Sequence, residues 1–295
     1  MFNSLIQMKE CSFYNSLKDG KVECLLCPHQ CVIAEGKRGI CRSRVNIDGS
    51  LYSECYGKPC SLAIDPIEKK PLYEFLPGTR CLSVACTGCN LRCKNCQNWQ
   101  ISQVRPDEQA YYDLSPEALV QLCIDYHLPT IAYTYTEPLT WFEYTLESCQ
   151  LAHAHGLKNV LVSAGYINPA PLQELAPYLD AANIDLKSLS DDIYREVSGA
   201  TLAPVLNTLL TLKSAGVWLE ITHLLIPPVQ DTTHFRRLCQ WLRNNNLADC
   251  PLHLTRFFPQ YKMQHGYSPT PLSFMHEAQS IALEEGIRTV YLGNV

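Results

Sequence analysis

Three cysteines stand close together in the sequence Cys89-Asn-Leu-Arg-Cys93-Lys-Asn-Cys96. Thiolates at this C-x3-C-x2-C spacing can hold three irons of a 4Fe–4S cluster, which leaves the fourth iron free to chelate a cofactor or substrate. A zinc ribbon requires two C-x2-C pairs about 15 residues apart, and this run lacks them. The run therefore predicts an iron–sulfur site that takes part in chemistry.

Cys86 extends the run to C-x2-C-x3-C-x2-C and leaves two further interpretations open. If Cys86 supplies a fourth thiolate, the cluster is closed and only carries electrons. The remaining alternative is a structural metal or free thiols. We favour the open site with Cys89, Cys93 and Cys96 as ligands.

A second group of cysteines, Cys24, Cys27, Cys31 and Cys41, has the spacing C-x2-C-x3-C-x9-C. Four thiolates suit tetrahedral zinc and suit a closed 4Fe–4S cluster equally well, and spacing alone does not choose between them. Metal binding at such a site supplies folding free energy, so we expect loss of these ligands to unfold residues 1–80 first.

The composition is typical of a globular protein, with 46% hydrophobic and 18% charged residues among 295. No apolar run approaches the ~20 residues of a membrane helix, and the start MFNSLIQMKECSFYN lacks the pattern of a signal peptide. We therefore expect a cytoplasmic protein without membrane contact. Residues 1–80 carry 11 basic and 9 acidic side chains and residues 81–295 carry 13 and 20, so nucleic-acid binding is not indicated.

Two regions are expected. Residues 1–80 are rich in cysteine and glycine and form the predicted metal-binding region, while residues 81–295 alternate short apolar runs with amphipathic stretches, as in repeated strand–helix units. The proposed strands are 82–85, 130–135, 159–163, 182–186, 218–224, 252–254 and 289–292. This number of units predicts an α/β fold with a partial (β/α)6 barrel resembling a TIM barrel, with an open doubly wound sheet as the alternative.

Four polar residues lie at the carboxyl ends of proposed strands, where barrel active sites are built. Glu137 follows the second strand, Ser163 ends the third, and Asp185 and Lys187 end the fourth. Asp185 and Lys187 alternate along the strand and so project to the same side. Two simpler interpretations stay open: Glu137 as a helix N-terminal residue, and Asp185 with Lys187 as a structural ion pair.

These motifs together resemble those of radical S-adenosylmethionine (SAM) enzymes, in particular the group related to pyruvate formate-lyase activating enzyme. A closer resemblance is to the radical SAM enzyme of the AmmeMemoRadiSam system. It is carried by Cys24-Leu-Leu-Cys27-Pro-His-Gln-Cys31, Cys41-Arg42, Asp65-Pro-Ile-Glu-Lys-Lys-Pro-Leu72, Cys96-Gln-Asn-Trp99, Thr134-Tyr-Thr-Glu-Pro138, Asp185-Leu-Lys187 and Arg256-Phe-Phe-Pro-Gln-Tyr-Lys-Met263. The resemblance spans most of the chain.

The resemblance implies that SAM chelates the unique iron of the cluster and is cleaved reductively to a 5'-deoxyadenosyl radical that abstracts hydrogen from a substrate. It also implies that Glu137 receives the SAM ammonium group and that Asp185 and Lys187 lie near the SAM carboxylate. Ser163 is a weaker cofactor contact. The chain departs from the family pattern at Asn95, where an aromatic residue is usual, and at Tyr135 and Thr136, where glycines are usual.

The implied partners are a reductant such as flavodoxin or ferredoxin and an unidentified substrate. That substrate is either one belonging to the AmmeMemoRadiSam system, including a protein of that system, or the backbone glycine of a glycyl-radical enzyme. The cysteine-rich region ahead of the barrel favours the first. A non-catalytic iron–sulfur electron-transfer protein is the alternative from another functional class. No side chain is assigned a catalytic role.

Overall fold

The computed structural model describes residues 8–227 and 229–295. The amino-terminal part forms two small antiparallel sheets. Their strands are β1 (Lys9–Glu10), β2 (Tyr14–Ser16), β3 (Val22–Cys24), β4 (Val32–Ile33), β5 (Arg44–Ile47) and β6 (Ser50–Ser53). One sheet has the order β1-β6-β5 and the other β2-β3-β4. Because all these strands are short, loops and turns carry most of the cysteines of this part.

The large sheet has eight strands in the order β14-β13-β12-β11-β10-β9-β8-β7. They are β7 (Ser61–Pro66), β8 (Arg80–Ala85), β9 (Thr130–Tyr133), β10 (Lys158–Ser163), β11 (Ala181–Asp185), β12 (Trp218–Leu225), β13 (Leu252–Arg256) and β14 (Val290–Gly293). β7 pairs antiparallel with β8, and every other neighbouring pair is parallel. All seven strands proposed from the sequence are confirmed, with boundaries that differ by one or two residues.

Helices connect the parallel strands. They are α1 (Trp99–Ser102), α2 (Pro116–Asp125), α3 (Phe142–Ala154), α4 (Pro169–Leu175), α5 (Asp191–Ile193), α6 (Leu202–Ser214), α7 (Thr232–Asn244) and α8 (Leu272–Glu284). α2 begins where Ser115 accepts a hydrogen bond from the Ala118 amide, as expected for an N-cap. Six strand–helix units followed by β14 confirm the α/β fold and the partial barrel.

The two faces of the large sheet are covered differently. Side chains such as Val84 and Ile131 belong to the main core together with residues of the helices. The alternate positions, including Ala132 and Val160, form a separate cluster with Ile67 and Leu72. Residues 67–75, here called the inner-face segment, therefore cover the face of the sheet that is turned away from the helices.

Two side chains of the sheet hold the inner-face segment in place. The Asn183 amide donates to the Pro71 carbonyl at 2.7 Å. The Glu220 carboxylate accepts from the backbone amides of Tyr73 and Glu74, each at 3.0 Å. The chain itself thus fills the inside of the partial barrel, a role that the sequence pattern did not reveal.

A buried ion pair joins the amino-terminal sheets to the barrel. Arg44 on β5 donates to the Glu143 carboxylate on α3 at 2.6 Å and to the Thr140 carbonyl at 3.1 Å. Both charged side chains are almost fully buried. The large sheet begins at Ser61, before the expected boundary at residue 80, and the division into two regions stays a prediction. In the described part of the chain, no helix has the length and apolar character needed to cross a membrane.

Candidate functional site

The Cys89–Cys96 loop follows β8 at its carboxyl end, as predicted. Its backbone is fixed by the segment that precedes α6: the Arg92 amide donates to the Ser198 carbonyl and the Lys94 amide to the Val197 carbonyl, both at 2.8 Å. Gly199 allows this approach, since a Cβ at that position would lie 3.3 Å from the Arg92 Cβ. Hydrogen bonds from a distant part of the barrel therefore set the shape of the loop.

The three predicted cluster ligands lie near one another. Burial raises the pKa of the Cys89 thiol, and the nearby charges of Glu137, Cys93 and Cys96 raise it further. Burial also raises the pKa of Cys93, whereas the Lys187 ammonium lowers it. Thiols in this setting remain protonated until a metal or other cationic group stabilises the thiolates. The structure thus places three sulfurs beside one carboxylate and one ammonium group.

Cys86 does not join these three thiols. It is fully buried, and its Sγ donates to the Cys55 carbonyl at 3.5 Å. Burial raises the pKa of Cys86, and the neighbouring thiols that add to this effect are Cys55 and Cys60. The Cys86 side chain therefore faces the interior beside the amino-terminal region, away from the Cys89–Cys96 loop.

Glu137 is 1% exposed and is held by three hydrogen bonds. Its carboxylate accepts from the Ser163 hydroxyl at 2.6 Å, the Ala164 amide at 2.9 Å and the Leu139 amide at 3.2 Å. Burial raises the pKa of Glu137, although these donors and the Lys187 ammonium oppose the rise. A buried anion of this kind is a suitable acceptor for a cationic ligand.

Asp185 and Lys187 form an ion pair of 2.8 Å at the end of β11. Burial acts to lower the pKa of Lys187, but the Asp185 carboxylate and the Cys93 sulfur outweigh it, so the pKa lies above its ordinary value. The Lys187 backbone amide donates to the Tyr194 hydroxyl at 3.0 Å, a contact with a residue that sequence reasoning missed. The pair thus lies beside the sulfur of a predicted cluster ligand.

The second cysteine group lines one narrow cavity of about 10 Å³. All four predicted ligands, Cys24, Cys27, Cys31 and Cys41, take part in its wall. Burial raises the pKa of Cys24 to about 11 and that of Cys27 to about 12. Across the described residues, no three His, Cys, Asp or Glu side chains are arranged as a site for one metal ion.

Polar and ionic groups beside Tyr135 form a further part of the site that the sequence did not predict. Tyr135 adopts a left-handed backbone conformation at φ +65°, at one of the positions where the family has glycine. Its hydroxyl donates to Asp65, which also pairs with the fully buried Lys70 at 2.7 Å. Lys70 lies in the charged stretch Glu68-Lys69-Lys70 and precedes Pro71, and only its burial reveals a structural role.

A partial α/β barrel with a three-cysteine loop after its first parallel strand, and a buried carboxylate and a lysine at later strand ends, defines the class of radical SAM proteins. The family model of the radical SAM superfamily matches residues 83–242. The chain belongs to this superfamily. Its members use an iron–sulfur cluster to cleave SAM.

Two sequence relatives are informative. An uncharacterized protein of Methanocaldococcus jannaschii is 45% identical over 289 residues, which are 98% of this chain and 86% of the relative. The pyruvate formate-lyase-activating enzyme of Clostridium pasteurianum is 24% identical over 178 residues, which are 57% of this chain and 71% of the relative. The first similarity includes the amino-terminal cysteine-rich part.

Solved structures share the fold. SuiB of Streptococcus suis, bound to SAM, aligns with a TM-score of 0.56 and 12% identity over 70% of this chain and 48% of SuiB, so this chain matches about half of that protein. QueE of Escherichia coli aligns with a TM-score of 0.50 and 13% identity over 80% of this chain and 92% of QueE. Both similarities concern the barrel fold.

Proposed function

We propose that this protein is a radical SAM enzyme of the AmmeMemoRadiSam type, with Cys89, Cys93 and Cys96 as the ligands of its catalytic cluster. The single observation that carries the proposal is the position of these three thiols beside Glu137 and Lys187, which come from different strand ends. When bound, the 4Fe–4S cluster supplies an electron that cleaves SAM to methionine and a 5'-deoxyadenosyl radical, which then removes hydrogen from the substrate.

The side chains around the loop bind and orient SAM. Glu137 accepts the SAM ammonium group, because a buried carboxylate held by Ser163 and the Ala164 amide is fixed in direction and lacks a cationic partner of its own at hydrogen-bonding distance among the described residues. Lys187 attracts the SAM carboxylate, while Asp185 holds the ammonium group of Lys187 in place. Ser163 therefore acts through Glu137 and positions it.

The position of Cys86 supports a cluster without a fourth cysteine ligand. The Cys86 thiol donates a hydrogen bond to the Cys55 carbonyl and is buried next to Cys60, so the cluster retains an iron for SAM. This arrangement favours catalysis over simple electron transfer. We assign the second metal to Cys24, Cys27, Cys31 and Cys41, and an external reductant such as flavodoxin or ferredoxin to electron supply.

Two substrate classes are consistent with this chemistry. The similarity to the pyruvate formate-lyase-activating enzyme of Clostridium pasteurianum supports the glycine of a partner enzyme. The cysteine motifs of the amino-terminal part, which resemble those of the AmmeMemoRadiSam enzyme, support a substrate of that system. We favour the second because the described amino-terminal residues are built into the barrel through the buried Arg44–Glu143 pair.

The proposal is tested with the anaerobically reconstituted protein. We expect SAM to change the electron paramagnetic resonance signal of the dithionite-reduced cluster and 5'-deoxyadenosine to accumulate. If the signal of the fully reduced cluster does not change when SAM is added and no 5'-deoxyadenosine forms, the proposal is contradicted. That result favours an electron-transfer protein. Adding candidate substrate proteins and following hydrogen transfer into 5'-deoxyadenosine then separates the two substrate classes.

A further inference from the structure

We propose that the buried pair of Asp65 and Lys70 holds a strained turn at Tyr135 in the conformation that binds SAM, which makes these three side chains positioning residues of the SAM site. This inference rests on the proposed function, because Glu137, directly after the turn, is the proposed acceptor of the SAM ammonium group. The stretch 65–72 carries part of the family resemblance, yet its sequence alone assigns it no role. Three features of the structure support the role proposed here.

The first feature is the backbone of the turn. The Thr136 amide donates to the Thr134 carbonyl at 2.8 Å, which closes a three-residue γ-turn with Tyr135 at its centre. At φ +65°, Tyr135 has the positive φ of the classic γ-turn, which is rare and strained, and a bulky side chain disfavours this conformation further. Such strain persists only where the surrounding contacts over-determine the conformation. We therefore expect the contacts of Tyr135 to hold the turn.

The second feature is the set of contacts around the Tyr135 side chain. Its hydroxyl donates to the Asp65 carboxylate and accepts from the Lys70 ammonium group at 3.2 Å. The same ammonium group lies 4.3 Å from the centre of the Tyr135 ring. Burial acts to raise the pKa of Asp65, but hydrogen bonds from Lys69, Lys70 and the tyrosine outweigh it, so the pKa lies below its ordinary value. The ionised carboxylate and the buried ammonium group thus fix the direction of the ring.

The third feature is that the turn binds the chain on both sides of the cluster loop. The Asn98 side chain donates to the Tyr135 carbonyl at 2.7 Å, and the Thr136 hydroxyl donates to the Cys86 carbonyl at 2.6 Å. Cys86 lies three residues before the Cys89–Cys96 loop, and Asn98 lies two residues after it. The conformation of the turn therefore affects where the loop begins and where it ends.

These contacts join the inside of the barrel to the SAM site. Lys70 is fully buried in the inner-face segment, which Asn183 and Glu220 hold against the sheet. At the other end of the network, Glu137 accepts a hydrogen bond from Ser163 on β10. Binding groups need such supporting contacts to stay close to their productive geometry. A turn that relaxed from its strained form would displace Glu137 relative to the cluster loop and weaken SAM binding.

The first test compares two tyrosines at β9. Tyr135→Phe removes one hydroxyl and leaves Asp65 paired with both lysines, so the variant should fold. By calorimetric titration of the reconstituted protein, we expect the SAM dissociation constant to rise about 3- to 10-fold, with the iron content unchanged. Tyr133→Phe is the matched control, because its hydroxyl bonds to Asn159 in the main core, and it should leave the SAM affinity unchanged. Wild-type SAM affinity in Tyr135→Phe overturns the inference.

A double variant tests whether Tyr135 acts through Glu137. If the turn positions Glu137, the hydroxyl should matter little once that carboxylate is gone. The Tyr135→Phe, Glu137→Gln variant should then bind SAM within about twofold of Glu137→Gln alone. A merely structural hydroxyl would lower the free energy of unfolding without this coupling. Two losses of SAM affinity that simply multiply would show that Tyr135 acts independently, and they overturn the inference.

Hydrogen exchange tests the buried pair without SAM. In the reconstituted protein, the peptide that contains the Thr136 amide should exchange at least about threefold faster in Lys70→Met than in the wild type, as the turn opens more often. Asp65 keeps Lys69 as a partner in that variant. Lys69→Met is the control and should exchange like the wild type, because its side chain is 58% exposed and exposed pairs contribute little. Equal exchange rates in the two lysine variants overturn the role of the buried pair.

The outcomes separate this inference from the proposed function. If the wild type has an intact cluster and does not bind SAM, the proposed function fails and the inference falls with it. If the wild type binds SAM and Tyr135→Phe binds it equally well, the proposed function stands and the inference alone is overturned.

Discussion

The two cysteine loops of this protein are neighbours with opposite surroundings. The Cys89–Cys96 loop is flanked by a carboxylate and an ammonium group from later strand ends, Glu137 and Lys187. The Cys24–Cys41 loop is flanked by apolar side chains and one arginine that is already paired. The first environment offers opposite charges to a small zwitterion such as SAM, whereas the second offers thiols in a mostly apolar wall.

The difference shows how one residue type serves two purposes. Both loops offer thiols to a metal, so the neighbouring residues would decide whether a metal bound in either loop is open to chemistry. In the barrel loop, three ligands and a charged wall favour a reactive site. In the amino-terminal loop, four thiols in an apolar wall are the arrangement that we propose for a closed metal site. Variants that change one loop and leave the other intact test this comparison.

The largest effect is expected from the cluster ligands. Cys93→Ala should abolish 5'-deoxyadenosine formation, because the catalytic cluster loses one of its three protein ligands. Cys86→Ala, three residues before the loop, is the matched control, and we expect it to keep both the cluster and the product. A wild-type signal that does not respond to SAM, with a response gained in the Cys86 variant, would show instead that Cys86 closes the cluster.

The next largest effect is expected from Glu137, and a second glutamate, Glu143, provides its control. Glu137→Gln should raise the SAM dissociation constant about 10- to 100-fold, since a hydrogen bond to a charged group contributes roughly 1.5–3 kcal/mol. Calorimetric titration of SAM into the reconstituted protein measures this. The iron content should stay unchanged.

Glu143→Gln is the control for that measurement. It leaves Arg44 without its carboxylate partner and should lower the free energy of unfolding by roughly 3–5 kcal/mol, as breaking a buried pair does. The SAM affinity of the folded fraction should match the wild type. If both glutamate variants weaken SAM binding equally, the two loops do not have separate roles.

A smaller effect is expected where the two loops touch. Gly88 has φ +99°, and an added Cβ would meet the Cys41 carbonyl at 2.5 Å. Gly88→Ala should lower the free energy of unfolding by roughly 1–3 kcal/mol through strain and overpacking. Denaturant titration measures the change. Gly78→Ala has a similar φ of +77° but open space around it, so it reports the backbone cost alone.

The smallest effect is a loss of stability at acidic pH. Burial lowers the pKa of His223, behind the end of β11, to about 4. Because the pKa of His223 is depressed in the folded state, this group favours folding at pH values above its unfolded-state pKa of about 6.5. The contribution is lost as the pH falls toward 4. At pH 5.5 the loss is about 1 kcal/mol. Chemical denaturation at pH 7 and pH 5.5 should show this loss of stability in the wild type. If a His223→Gln variant loses as much stability between the two pH values, the titration of His223 is not the cause.

Much of the barrel could be predicted because its signals are local. Each parallel strand is a short apolar run, so the strand boundaries at Thr130 and Trp218 follow from the sequence. The helix cap at Ser115 likewise depends only on neighbouring residues. Polar candidates such as Glu137 were found by their position after a strand. The pattern alone therefore predicted which residues end up near the loop.

Contacts between distant segments could not be predicted. Lys69 and Lys70 look alike in the sequence, yet Lys69 is exposed and Lys70 is fully buried against Asp65 and Tyr135. The orientation of Cys86 depends on Cys55, thirty-one residues earlier in the chain. Likewise, Gly88 gains its role from the amino-terminal loop. These features arise from packing between segments, for which periodicity and spacing contain no information.

The inner-face segment, residues 67–75, has a consequence for the order in which the molecule is assembled. Chain synthesis proceeds from the amino terminus, so this segment leaves the ribosome before each of the seven parallel strands that surround it. The strands are then added around side chains that are already present, one strand–helix unit at a time. A permuted chain that placed the segment last would have to insert it into a finished barrel.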